Sequence, residues 1–291
     1  MKKRILRIIV LCTTIFHAQS QGDIAFVGYN GDGDDDFAIV VLVDIPAHST
    51  IYFTDSGPDI TGTGMDDLAE GVITWTTGSS EISAGTVVTF TDIDNDTNAA
   101  YGVSVGQIER SKSGFSLAVG TSGDEIFATL GDPAQDQVST WLAGIEVHNH
   151  GRPANFDTSG LIPGANYLVI DTTQSKDGGE YTGVRSQKTA DEYRRLVNDQ
   201  TNWTTDTEDG EKFVPFNTSN FTFLTLTVEG VNSFDMGVFF LENKKITTDI
   251  GEIKNVYNVF GQCIENQNLT QGLYIVEVKK KNRLLRYKFA F

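Results

Sequence analysis

Two runs of aspartate have the spacing to gather a hard cation. Asn30, Asp32, Asp34 and Asp36 alternate, with Asp35 among them, and Asp92, Asp94 and Asp96 alternate again further along. Calcium takes about six to eight oxygen ligands, and loops rich in carboxylates and carbonyls supply them at low steric cost. Neither run is an EF-hand. Counted from Asn30, Asp35 occupies the position of the required glycine and Val41 that of the bidentate glutamate; counted from Asp92, those positions hold Thr97 and Val103. Two readings stand side by side: a calcium site in either loop, completed from neighbouring turns, or the Asp and Gly that turns need in any case.

Other residue types offer less. His148-Asn149-His150 would set two imidazoles on one face of an extended chain, a geometry zinc uses. Only His48 remains as a third histidine beyond the N-terminal segment, so carboxylates would have to finish the shell. A solvent-exposed loop with Gly151, Arg152 and Pro153 is the competing reading. Trp75 and Trp141 sit in strand-like apolar patterns that read as core. Trp203, Tyr181 and Tyr101 lie near turn residues and are the candidates for contact with a glycan or other ligand. The sequence has no G-x-S-x-G elbow, no phosphate-binding G-x-x-x-x-G-K-[ST] loop and no H-E-x-x-H pair, so no catalytic residue is assigned. The enzymatic alternative is a small secreted polysaccharide-active lyase or hydrolase, with His148 or His150 and Tyr181 as its acid and base.

The elements that would position these residues are strands. Residues 37–45, 50–53, 72–76, 86–91, 114–119, 125–130, 138–145, 167–171 and 220–228 are short, rich in β-branched and aromatic residues, and separated by Gly, Asp, Asn and Ser. That rhythm predicts an all-β sandwich or barrel. One helix is expected over 189–200, where Thr189 and Glu192 have capping-box spacing and Tyr193, Leu196 and Val197 form an apolar stripe.

Charge divides the chain. Residues 21–225 carry 32 acidic against nine basic side chains, while the whole 291-residue chain has a net charge of −17. A field of that sign repels phosphate backbones and anionic membranes, which argues against nucleic acid as a partner, and attracts divalent cations. The N-terminus reads as a signal peptide over residues 1–20. Lys2, Lys3, Arg4 and Arg7 precede the apolar stretch Ile8 to Phe16 and a small-residue exit at Ala18-Gln19-Ser20. No apolar run reaches the roughly 18 residues of a transmembrane segment. Of the two cysteines, Cys12 lies within that leader, and Cys263 has no intrachain partner left once it is removed.

The C-terminus carries a resemblance. IKNVYNVFGQ, then NLTQGLYIVEVKKKN and LLRYKFAF, resemble the C-terminal sorting domain of the type IX secretion system of Bacteroidota. Tyr257, Asn258, Gly261, Gln262, Leu269, Gly272, Tyr274, Ile275 and Val276 carry the likeness; no proline follows Pro215, although many members open with Pro-Asn-Pro. The resemblance implies a small β-sandwich sorting domain over 238–291, after a linker at 226–237, with the type IX machinery as its partner. Residues 21–225 in turn are similar to secreted domains of the lamin-tail, immunoglobulin-like β-sandwich family. Its carriers are GDIAFVGYNGDGDDDFAIVVLVDIPAHSTIYFTDSG, EGVITWTTG and ISAGTVVTF. Such modules accompany extracellular enzymes or adhesins as non-catalytic companions. The expectation is therefore a secreted or cell-surface, non-enzymatic module with calcium as a candidate cofactor, used in adhesion or in glycan or protein binding.

Overall fold

The computed structural model describes residues 19–117, 124–147, 153–170, 176–224, 239–242, 244–249, 251–258, 262–270, 272–281 and 283–290. The leader up to residue 18, the linker and His148 to His150 lie outside them. The chain divides into two compact units, Met1–Leu224 and Thr225–Phe291. Among the described residues each is all-β apart from one short α-helix and four 3-10 turns in the first.

The first unit opens with β1 (Ile24–Asn30), β2 (Asp36–Val41), β3 (Thr50–Thr54), β4 (Val72–Thr76), β5 (Val87–Thr91), β6 (Gly102–Val103) and β7 (Gln107–Lys112). It continues through β8 (Glu125–Leu130), β9 (Thr140–Glu146), β10 (Tyr167–Val169), β11 (Gly178–Tyr181), β12 (Ser186–Lys188), α1 (Ala190–Val197), β13 (Trp203–Asp206) and β14 (Thr222–Phe223). Two six-stranded sheets form, ordered β13-β11-β1-β2-β5-β6 and β10-β9-β8-β3-β4-β7. All contacts within the first sheet are antiparallel. In the second, β10 runs parallel to β9.

Aromatic side chains join the two sheets into a sandwich. Phe37 of β2 stacks on Phe90 of β5 at 4.3 Å and meets Phe53 of β3, in the opposite sheet, at 4.9 Å. Phe90 meets Phe53 at 4.9 Å and Trp75 of β4 at 5.5 Å, both edge to face, the orientation ring quadrupoles favour. Each of these rings is fully buried. Every residue of β1 and β2 is buried as well, as in strands covered on both faces. Phe216 covers β1 so closely that a Cβ on Gly28 would meet its ring at 2.6 Å.

The helix follows its sequence signal. Thr189 Oγ1 accepts from the Glu192 N–H at 3.2 Å while Glu192 Oε2 accepts from the Thr189 N–H at 2.8 Å. Tyr193 and Val197 point into the core, and Arg194 fastens α1 to the start of β1 by donating to the Gly22 carbonyl and to Asp23.

One expected strand is absent. Residues 114–117 form none, because Gly114 has a φ of 110° and the next amides are taken by buried carboxylates. Ser116 N donates to Asp55 Oδ2 at 2.8 Å and Leu117 N to Asp35 Oδ2 at 2.6 Å.

The second unit contains β15 (Phe239–Glu242), β16 (Lys245–Thr248), β17 (Glu252–Tyr257), β18 (Cys263–Ile264), β19 (Leu273–Lys280) and β20 (Arg283–Ala290). β15 and β16 form a hairpin; the others form an antiparallel sheet ordered β18-β17-β19-β20. Ile246, Val256, Leu269, Tyr274, Val276 and Val278 make its core.

Candidate functional site

β2 begins and β5 ends at one edge of the first sheet, since they pair antiparallel with Phe37 opposite Phe90. The loop entering β2 and the loop leaving β5 are thereby set side by side, and the two aspartate runs meet. Asp92 N donates to Asp36 Oδ1 at 3.0 Å, Ile93 N to the Asp35 carbonyl at 2.9 Å, and Asp35 N to Asp94 Oδ1 at 3.3 Å. Asp92 turns the corner with a φ of 56°, a left-handed conformation that aspartate tolerates better than most residues.

Asn30, wholly buried, organises the first loop. Its amide nitrogen lies 2.9 Å from the Asp34 carbonyl, 3.1 Å from that of Asp32, 3.2 Å from Asp36 Oδ2 and 3.3 Å from Glu211 Oε1. An amide has only two hydrogens, so oxygen acceptors outnumber donors there. Glu211, which comes from the turn after β13, also accepts from the Asp34 N–H at 3.4 Å. Asp32 and Asp34 lie on the partly exposed rim, Asp94 is half-buried, and Asp96 is exposed.

The charge here is unbalanced. Asp35 and Asp36 are each 4% exposed and Asp92 is 1% exposed. Burial, reinforced by Asp94, pushes the Asp35 carboxyl up to about 7; burial and Glu211 push Asp36 up to about 6. Asp92 is raised by burial and then by Asp34 and Asp94, with the Asn98 side chain acting the other way. Asn98 does so without reaching hydrogen-bond geometry, and neither Asp92 oxygen has a hydrogen-bond partner. Arg110 reaches this loop but donates to the carbonyls of Asp94 and Phe115. Among the described residues, none of Asp34, Asp35, Asp36, Asp92, Asp94 and Glu211 is in an ion pair. Nor do any three acidic, histidine or cysteine side chains among the described residues already stand together as a metal shell.

The aromatic candidates separate. Trp203 and Tyr181 are neighbours on β13 and β11 and belong to the core: Trp203 is 9% and Tyr181 1% exposed. Trp203 Nε1 donates to the Val197 carbonyl at 2.8 Å and the Tyr181 hydroxyl to the Val184 carbonyl at 2.9 Å. Of the three candidates for ligand contact, these two have their rings buried by strand pairing. Tyr101 is half-buried beside the second acidic loop, its phenol pushed up to about 12 by burial and by Asp96. Trp75 and Trp141 are buried, as read from their patterns.

In the tail, Asn258 and Gln262 close a turn through reciprocal contacts: Asn258 Nδ2 to Gln262 Oε1 at 2.8 Å and Gln262 N to Asn258 Oδ1 at 3.1 Å. Gly261 falls outside the described residues. Tyr274 is buried and donates to the Thr270 carbonyl at 2.6 Å, with Gly272 half-buried beside it. Tyr257 donates to Glu277 Oε2 at 3.1 Å. Glu277 was not singled out from the sequence, yet it is 2% exposed and also accepts from Asn255 at 2.6 Å and Arg286 at 2.7 Å. An acid inside the apolar run of β19 was the available signal. Asn255, then Arg286, hold its carboxyl below the usual range.

Fold and site together define an all-β sandwich protein with an acidic end where two loops converge, followed by a small β unit. No protein-family model matches the chain, and no curated protein matches it. Among solved structures the chain is similar to HBP35 of Porphyromonas gingivalis at 13% identity, over 92% of this chain and 63% of that one, with a TM-score of 0.22. A likeness that slight carries no argument about fold or function. No helix among the described residues is long and apolar enough to cross a membrane.

Proposed function

We propose that this chain is an exported, non-enzymatic β-sandwich module, released or displayed outside the cell and used in adhesion or in glycan or protein binding. Residues 1–20 serve as its signal peptide, and residues 238–291 present it to the type IX machinery. The observation that carries this reading is the separate compact β unit at the C-terminus, Thr225–Phe291. There the Tyr257, Asn258, Gln262 and Tyr274 side chains are fixed by their own hydrogen bonds. A compact unit of its own suits an address read by a transport machine. Expression of the full chain and of a variant lacking residues 225–291 in a type IX-competent host tests it. Export of the full chain with periplasmic retention of the variant is expected; undiminished export of the variant would overturn the reading.

A further inference from the structure

A buried carboxylate needs a proton, a cation or hydrogen-bond donors, and leaving it with none is costly. Of the three buried aspartates at the acidic end, two are provided for. Asp36 accepts from Asp92 N and from the Asn30 amide, and Asp35 accepts from Leu117 N. Asp92, with 1% of its surface exposed, has no hydrogen-bond partner at either oxygen. Native structures rarely keep such a group without an ordered water, an ion or another ligand to satisfy it. Asp94 stands two residues on in the same loop, and Asp34 adjoins Asp35, whose N–H donates to Asp94 Oδ1 at 3.3 Å and whose carbonyl accepts from Ile93 N at 2.9 Å.

We propose that the joined loops hold one calcium ion between them, with the Asp92 carboxylate at its centre and the Asp34 and Asp94 carboxylates closing on it from either side. Asp34 is exposed and Asp94 half-buried, so core packing fixes neither side chain. Carbonyls of the same two turns complete an all-oxygen shell. Flexible, irregular oxygen cages of this kind suit calcium, whereas magnesium demands near-octahedral geometry and gives up its water reluctantly. Asn30 and Asp36 are positioning residues: Asn30 shapes the first loop, and Asp36 ties that loop to the second by accepting from Asp92 N. The ion would work as a clip between the entry to β2 and the exit from β5, holding the acidic end in one shape. This inference concerns the sandwich alone and does not rest on the export reading.

Isothermal titration of the chelator-stripped mature chain, residues 21–291, with calcium chloride and with magnesium chloride at matched ionic strength tests it. One calcium is expected to bind, in the affinity range of extracellular modules, about 10⁻⁴ to 10⁻³ M. Asp94→Ala and Asp34→Ala should each weaken binding by roughly tenfold or more, while Asp157→Asn, at an exposed position elsewhere, should leave it unchanged. Asp92→Asn should abolish binding yet raise the melting midpoint in EGTA, because it removes a buried charge without breaking a hydrogen bond. If that variant fails to fold, Asp94→Ala decides. Absence of calcium binding, an equal response to magnesium, or unchanged affinity in both Asp34→Ala and Asp94→Ala would overturn the proposal.

Discussion

Replacing Phe37 by alanine should unlock the sandwich at the point where its acidic end is held in register. The ring is completely buried and lies within 4.3 Å of Phe90, 4.9 Å of Phe53, 5.9 Å of Phe26 and 6.5 Å of Phe115. A Phe→Ala change in such a setting removes the transfer free energy of the ring and leaves a cavity, together about 3–5 kcal/mol. For a domain of this size each kcal/mol moves the melting midpoint by roughly 2–4 °C, so a fall of about 6–20 °C is expected. Urea unfolding followed by tryptophan fluorescence isolates the effect, because Trp75, Trp141 and Trp203 all precede residue 225 and the tail has none. Ile60→Ala, at a side chain 79% exposed, is the control and should change stability by less than about 0.5 kcal/mol. A Phe37→Ala loss below about 1 kcal/mol, or one matched by the control, would refute the claim that this stack joins the sheets.

Two titratable groups give further tests. Asp55 is 3% exposed, and burial, with Glu70 and Asp124 adding, pushes its carboxyl up to about 8. The folded state therefore holds a proton that the unfolded chain releases at its ordinary carboxyl pKa. The stability this group contributes is complete below about pH 4 and is lost as pH rises toward 8. In EGTA, urea midpoints of the wild type should fall across that window, and Asp55→Asn should flatten the decline; an unaltered slope in the variant counts against the assignment. Glu277 has the opposite sign. Its carboxyl is held low, so its contribution is present above about pH 4.5 and disappears as pH falls through the lowered value. Glu277→Gln should weaken the tail by about 1–3 kcal/mol at neutral pH through unmet buried hydrogen bonds, seen as faster amide exchange in β17 and β19; unchanged protection there would contradict it.

What the sequence revealed followed from local pattern, and what it hid depended on distant pairing. The β-branched runs that became β2, β3, β4, β5 and β8, and the capping box of α1, carry their instructions within a few residues. β7, Gln107–Lys112, is polar apart from Ile108 and is placed by pairing with β4, Ile108 opposite Trp75. β11 contains Gly178 and Gly179, poor strand formers by themselves, flanked by β1 and β13. The same pairing puts Tyr181 opposite Trp203 and explains why two aromatics beside turn residues are core residues. Conversely, residues 114–117 have strand composition but satisfy their amides on Asp55 and Asp35, both remote in sequence. The aspartate runs were each visible as acidic loops. Their union was not, since it depends on the β2–β5 register and on Glu211 arriving from the far side of the chain.

The calcium clip between these two loops is the point to test most directly. A calcium titration of isotopically labelled protein spanning residues 21–291, read amide by amide, would report on both loops at once. Asp34 to Asp36 and Asp92 to Asp94 should shift together along one saturation curve. Shifts confined to a single loop, or absent from both, would contradict it.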